Sequence, residues 1–324
     1  MSRVRAGMHV FIIVLATAVT TFTARAQEFP QRGVRFIVPF PPGSSLDWSA
    51  RILAEHLGRM WGKSVIVENV AGAGGNIGTQ RFSRADPDGH TLLASPPGPV
   101  LLNKMLYKDT NYEAEKFVPV SLITTHPNVL LVRNDLPVKN IEEYIAYARA
   151  NPGRMNYASQ GAGSTGFMTS RALEMRANIQ MLHVPYRGGA QILTDLAAGH
   201  VDSFFDAAPT SLPLHQGGKA RIIGVAGNSR LPSIPDVPAI FETLPDFKFG
   251  SFSVFMAPEG TPMKIAEKIS ADLKQLLDNP EIGNKFRDQQ MTPVSANPQE
   301  TAKLLTEERA RWTKVINDIG LMPQ

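Results

Sequence analysis

The feature that most limits what this chain can fold into is a strand–loop–helix turn that occurs twice, once in each half. In the first, Val34-Arg35-Phe36-Ile37-Val38 reads as a strand and Pro39-Phe40-Pro41-Pro42-Gly43-Ser44-Ser45-Leu46 as a loop of small and turn-forming residues. A helix follows from about Asp47 to Met60, with Ile52, Leu53 and Leu57 facing inward and Asp47 placed as its N-cap or first-turn acid. In the second, Met155-Asn156-Tyr157-Ala158 is the strand, Ser159-Gln160-Gly161-Ala162-Gly163-Ser164-Thr165 the loop, and a helix runs through Leu173. Between and after them, β-rich runs (64–68, 91–94, 128–132, 200–205, 221–225) alternate with helical patterns, the signature of βαβ units and a mostly parallel sheet. A length of 324 residues allows about two such domains.

The C-terminal part is helical. Thr261-Pro262 opens a helix that aligns Ile265, Ile269, Leu273 and Leu276. Asn297-Pro298-Gln299-Glu300 has the form of a capping box before a helix carrying Leu305, Trp312, Val315 and Ile319. The proline-rich stretch 229–245 reads as a long connection.

Composition excludes several classes of function. With no cysteine there is no disulfide, zinc-thiolate site or thiol nucleophile, and the histidines form no metal-binding spacing. Three of the 33 basic residues, Arg3, Arg5 and Arg25, fall in the acid-free first 26 residues, leaving 30 bases against 29 acids, so no nucleic-acid footprint exists. The same 26 residues have a basic start, an apolar run from Met8 to Ala16, and Ala24-Arg25-Ala26, the small-x-small form of a secretory cleavage site. The run is well short of the roughly 20 residues of a spanning helix. Residues 1–26 are therefore expected to be a cleaved signal peptide and the mature chain to be periplasmic.

The two Gly/Ser loops define the chemistry. A first helical turn leaves backbone N–H groups unpaired at the positive end of its dipole, and small residues let an anion approach them. In open α/β sheets, ligands bind at this end of the strands. Ser44, Ser45, Ser159, Ser164 and Thr165 add hydroxyls, and neither loop contains Lys or Arg. Dipoles without cations favour a carboxylate over a polyphosphate, although Gly and Ser are also the default residues of plain tight turns. Trp48 and Phe167 sit just inside the two helices, either in the core or flanking a flat ligand. Asp206, at the end of an apolar strand, either caps the next turn or faces the cleft. Ala162-Gly163-Ser164-Thr165-Gly166 is an imperfect nucleophile elbow with Asp206 and His215 following in hydrolase order, so a secreted serine hydrolase using Ser164 is the rival reading. Gly72-Ala73-Gly74 lacks the third glycine of a dinucleotide fingerprint.

Taken in order, these motifs resemble a known family. Phe36-Ile37-Val38-Pro39-Phe40-Pro41-Pro42-Gly43, Asp47, Ala50-Arg51, Val67-Glu68-Asn69, the glycine run Ala71 to Gly78 and Asp86-Pro87-Asp88-Gly89 carry the first half of the resemblance. Asn156-Tyr157-Ala158-Ser159, Gly161, Gly163, His183 to Gly188, Pro235 to Pro238, Ala257 to Pro262 and Trp312 carry the second. The whole set resembles the periplasmic substrate-binding proteins of tripartite tricarboxylate transporters, the Bug family. That resemblance implies a two-lobed α/β Venus flytrap, type II-like, with lobes at 27–125 plus 250–324 and at 126–249. It implies a non-catalytic, cofactor-free, monomeric receptor that hands a small-molecule carboxylate to the large and small subunits of a membrane permease. The same cleft would also serve a sensor that presents its closed form to a membrane kinase. The expected ligand contacts are Phe40, Gly43, Ser44, Ser45, Asp47, Ser95, Ser159, Gly163, Ser164, Thr165, Phe167 and Asp206. Ser44 replaces a usual glycine and Phe167 a common histidine, which with Trp48 points to an aromatic mono- or dicarboxylate such as terephthalate or phthalate over citrate or an amino acid, an aliphatic di- or tricarboxylate being the alternative.

Overall fold

The computed structural model describes residues 29–318 and 320–323. The expected signal peptide and Ile319 lie outside the described residues. In chain order the first elements are β1 (Val34–Val38), α1 (Ser45–Trp61), β2 (Val65–Asn69), α2 (Asn76–Ser83), β3 (Thr91–Ser95), α3 (Asn103–Leu106) and the long β4 (Val118–Val132). Next come α4 (Ile141–Ala150), β5 (Asn156–Ser159), α5 (Thr165–Ala177), β6 (Leu182–Pro185), α6 (Gly189–Ala197), β7 (Ser203–Ala207), α7 (Ala208–Gln216) and β8 (Arg221–Val225). The chain ends with β9 (Gly250–Ala257), α8 (Met263–Asp278), α9 (Pro280–Asp288), β10 (Thr292–Pro293) and α10 (Pro298–Asp318).

Strands follow the order β2-β1-β3-β9-β4-β7-β5-β6, with β8 and β10 also on β4. β1 is parallel to β2 and β3, and β5 is parallel to β6 and β7, so the same three-strand arrangement occurs twice. β4 joins them. Its residues Val118 to Pro127 pair antiparallel with β9, and its residues Asn128 to Val132 pair with β7 and β8. The chain is thus a two-lobed α/β protein joined through β4, the strand common to both sheets.

Alternation along the strands builds the cores. Val34, Phe36 and Val38 of β1 face Leu53 and Leu57 of α1 and Ile269 and Leu273 of α8, while Ile37 belongs to the opposite layer with Phe82. In the second lobe Val129 and Leu131 of β4 pack with Ile192 and Leu196 of α6, and Leu130 and Val132 with the layer holding Tyr144 and Leu173. The predicted capping box closes α10: Asn297 N–H donates to Glu300 at 2.9 Å, and Glu300 N–H donates to Asn297 Oδ1 at 2.8 Å. α10 buries Trp312 completely beside Phe249, next to the chain's return to the first lobe.

Candidate functional site

Both helices that follow the Gly/Ser loops are capped in the same way. Ser44 Oγ accepts from Asp47 N–H and Ser164 Oγ from Phe167 N–H, each at 3.2 Å. The loops they terminate face each other across a cavity of about 350 Å³, within the range of small-molecule sites. It opens at the C-terminal ends of the parallel strands of both sheets, where ligands bind in open α/β folds. The N-termini of α6 and α7 reach it too, and neither has a side-chain cap.

The lobes meet around this cavity. A Cβ placed on Gly163 would stand 1.7 Å from Asn103 Oδ1, and one on Gly98 would stand 2.4 Å from the Gly163 carbonyl. One on Gly188 would lie 2.8 Å from Pro41. Three glycines therefore permit backbone of one lobe to touch the other, which is the closed arrangement.

Of the predicted contacts, Phe40, Gly43, Ser44, Ser45, Gly163, Ser164, Thr165 and Asp206 line the cavity. Asp47, Ser95, Ser159 and Phe167 do not, and each is held elsewhere by a partner. Asp47, 4% exposed, accepts from Gly43 N–H at 3.0 Å, Asn69 Nδ2 at 2.9 Å and Arg51. Ser95 turns its hydroxyl to the Pro96 carbonyl, and Ser159 shares a 2.7 Å hydrogen bond with His183 Nε2. Phe167 is buried against Tyr157 and His183, and Trp48 packs edge-on against Phe286, so neither flanks the cavity. Asp206 lies inside β7 rather than at its end.

The structure adds residues that sequence reasoning missed. Arg187, Gln160 and Thr210 line the second-lobe wall, and His126, Asn128 and Ser251 line the part formed by the hinge strands. Arg187 gives the site a cation after all, from the β6–α6 loop, and it makes no ion pair among the described residues. The signal for the hinge residues was polar side chains two apart inside a buried strand, His126 and Asn128, partly hidden by Pro127 between them.

Electrostatics divide the site. Burial pushes the Asp206 carboxyl up, although hydrogen bonds from Thr210, the Ala207 backbone and Gln160 pull the other way. Burial pushes the His126 ring down to about 4, leaving it neutral at pH 7. The hydrolase arrangement does not form: Ser164 donates to the Gly161 carbonyl at 2.8 Å, Asp206 is bonded to Thr210 and Gln160, and His215 Nδ1 accepts from Ile222 N–H at 3.2 Å.

A family model described as the tripartite tricarboxylate transporter family receptor matches residues 49–321, most of the chain. The chain belongs to this receptor family. It is 32% identical to BugT of Bordetella pertussis over 99% of this chain and 98% of that protein. Its fold superposes on the R. palustris protein Rpa4515, solved with adipate, with a TM-score of 0.89 and 31% identity, covering 92% of this chain and all of that one. MatC from Rhodopseudomonas palustris, solved with malate, gives a TM-score of 0.84 and 32% identity, with 89% and 100% covered. The chain is thus a periplasmic solute-binding receptor of a tripartite tricarboxylate transporter, a binding component rather than an enzyme. No helix among the described residues is long and apolar enough to cross a membrane.

Proposed function

We propose that this receptor captures one small carboxylic acid in the periplasm, closes on it, and presents the closed form to the large and small subunits of its permease. The observation that carries this reading is the convergence of four helix N-termini and Arg187 on one cavity between lobes. One carboxylate of the ligand lies between the Ser44 and Ser164 turns, held by backbone N–H groups and hydroxyls. Residues 27–125 with 250–324 make one lobe and 126–249 the other, a division supported by the change of partners along β4. The receptor acts as a monomer after removal of residues 1–26, an assignment supported by the basic, apolar and small-residue regions in sequence.

Phe40, Leu46, Leu193 and Phe205 give the cavity apolar walls. These suit an acid with an apolar body, whether an aromatic dicarboxylate such as terephthalate or phthalate or a methylene chain between carboxyls. With Trp48 and Phe167 packed elsewhere, support for the aromatic member rests on Phe40 and Phe205. A thermal-shift screen of the mature protein against both kinds of acid tests the reading, because a ligand bound only to the folded state raises its melting temperature. Stabilisation by at least one acid, recovered chemically unchanged, is the expected result. No shift with any carboxylate would overturn the carboxylate site. A shift with aliphatic acids alone would remove the aromatic proposal.

A further inference from the structure

The cavity has a second polar surface, away from the capped loops, on the strands that join the lobes. His126 and Asn128 are two apart on β4 and so share one face, Ser251 of β9 is the cross-strand partner of His126, and Ala207 of β7 is that of Asn128. All four line the cavity. His126 is 8% exposed, and its Nδ1 is buried with no hydrogen-bond partner. The Ser251 hydroxyl makes no hydrogen bond among the described residues, and Asn128 uses its amide on Thr169 at 3.0 Å. Its other ring nitrogen, Nε2, makes no hydrogen bond among the described residues and is not fully buried, so the imidazole of His126 lines the cavity with no protein partner for either nitrogen.

We infer that His126, with Asn128 and Ser251, forms a subsite for a second anionic group of the ligand and makes this receptor selective for dicarboxylates over monocarboxylates of the same length. The inference rests on the carboxylate reading above. Among the described residues nothing opposes the desolvation that keeps the ring neutral. A carboxylate against it supplies the missing counter-charge, so binding draws a proton onto the imidazole. The charged groups around His126 are Asp206 and Arg187 in the cavity, and Lys248, Glu308 and Arg311 in a second cleft behind the hinge that His126 also lines. None of them makes an ion pair with it among the described residues. Arg311 is paired with Glu308 at 2.7 Å. Asp206, whose carboxyl is already pushed up by burial, is the other group able to take a proton, and the test must separate the two.

Calorimetric titration of adipate against hexanoate, and of terephthalate against benzoate, in two buffers of different ionisation heat at pH 6.5 and 7.5 makes that separation. Wild type is expected to bind the diacid of at least one pair tenfold or more tighter than its monoacid. Protons should be taken up with the diacid only, and more at pH 6.5. His126→Leu should lose at least tenfold for that diacid, stay within about twofold for the monoacid, and show no proton uptake; with the unpartnered nitrogen gone, its unfolding midpoint should not fall. His126→Gln, which keeps a neutral donor, should recover part of the affinity but not the uptake. Equal losses for both acids, or uptake that persists in His126→Leu, would overturn the subsite and assign the proton to Asp206. Wild type binding none of the four acids would overturn the carboxylate reading itself, an outcome distinct from binding without discrimination.

Discussion

The two cap turns facing the cleft are alike in backbone and opposite in what sustains them. Ser44 and Ser164 cap their helices at the same distance, and each is preceded by a glycine and followed three residues later by an anchor. In the first turn the anchor is Asp47, which gathers Gly43, Asn69 and Arg51 by charge-assisted bonds. In the second it is Phe167, wedged between Tyr157 and His183. The glycines differ too. Gly43 has φ +92° and open space where a Cβ would be, whereas Gly163 has a side chain of the other lobe against it. One turn is fixed from within its own lobe by polar bonds and backbone conformation. The other is packed within its lobe and shaped to receive the opposite one.

That contrast can be broken in three places. The largest effect is expected at the anchors. Phe167→Ala leaves a cavity among buried rings and should cost about 4 kcal/mol in urea unfolding, while Asp47→Ala strands its buried donors and should cost about 3 kcal/mol. Their pH dependence should differ. Burial raises the Asp47 carboxyl, but bonds from Arg51, Gly43 and Asn69 outweigh it and hold the group below its ordinary 3.8. Its contribution is therefore complete above that value and is lost as pH falls through the lower folded value. The Asp47→Ala deficit should shrink on acidification below about pH 4, and the Phe167→Ala deficit should not. Parallel behaviour of the two would refute the distinction.

At the glycines a smaller effect is expected. Gly163→Ala should weaken ligand binding tenfold or more, about 1.4 kcal/mol, and leave unfolding of the empty protein nearly unchanged, because its clash exists only between closed lobes. Gly43→Ala should instead lose about 1 kcal/mol of stability through its positive φ, with affinity less affected. Calorimetry and unfolding on both variants check the pair, and a stability loss at Gly163 equal to that at Gly43 would contradict it. The smallest effect is expected at the caps, where Ser44→Ala should cost about 1 kcal/mol and Ser164→Ala, which also gives up the bond to the Gly161 carbonyl, somewhat more. Equal losses would show that the Gly161 bond adds nothing to the cap.

Much of this architecture was legible because local and global signals agree. β1 and β8 span the residues their β-branched runs indicate, and α4 buries Ile141, Tyr144, Ile145 and Ala148 at helical spacing. The first half of β4 was not legible, since Pro119 and Pro127 argue against a strand with partners on both sides. The structure tolerates them beside register shifts, between Pro119 and Ser121 and at the change of sheet. α2 was missed because its start is a run of glycines with positive φ and its helical period is short. In the site, the loops were readable from Gly and Ser. Asp47 and Phe167 lie behind the cavity wall, because a residue in the first turn of a capped helix can point along the loop or behind it, and only tertiary partners decide which; Ser159, at the end of β5, is turned instead to His183. Arg187 reaches the cavity through a chain crossing that no local pattern announces, and His126 and Asn128 carried only the weak signal of two polar residues flanking a proline.

The position of β9 has a consequence for how the molecule is made. It lies between β3 and β4 and is the last long strand in the chain, whereas every strand of the second sheet is complete by Val225. As the polypeptide emerges from its N-terminus, the second lobe can assemble from consecutive segments. The first lobe meanwhile waits with two unpaired strand edges, at residues 91–95 and 118–127, until residues 250–257 arrive to fill the slot. The interval between those two events is when a nascent receptor is most open to pairing with the wrong strand, and a chain truncated before Gly250 would never leave it.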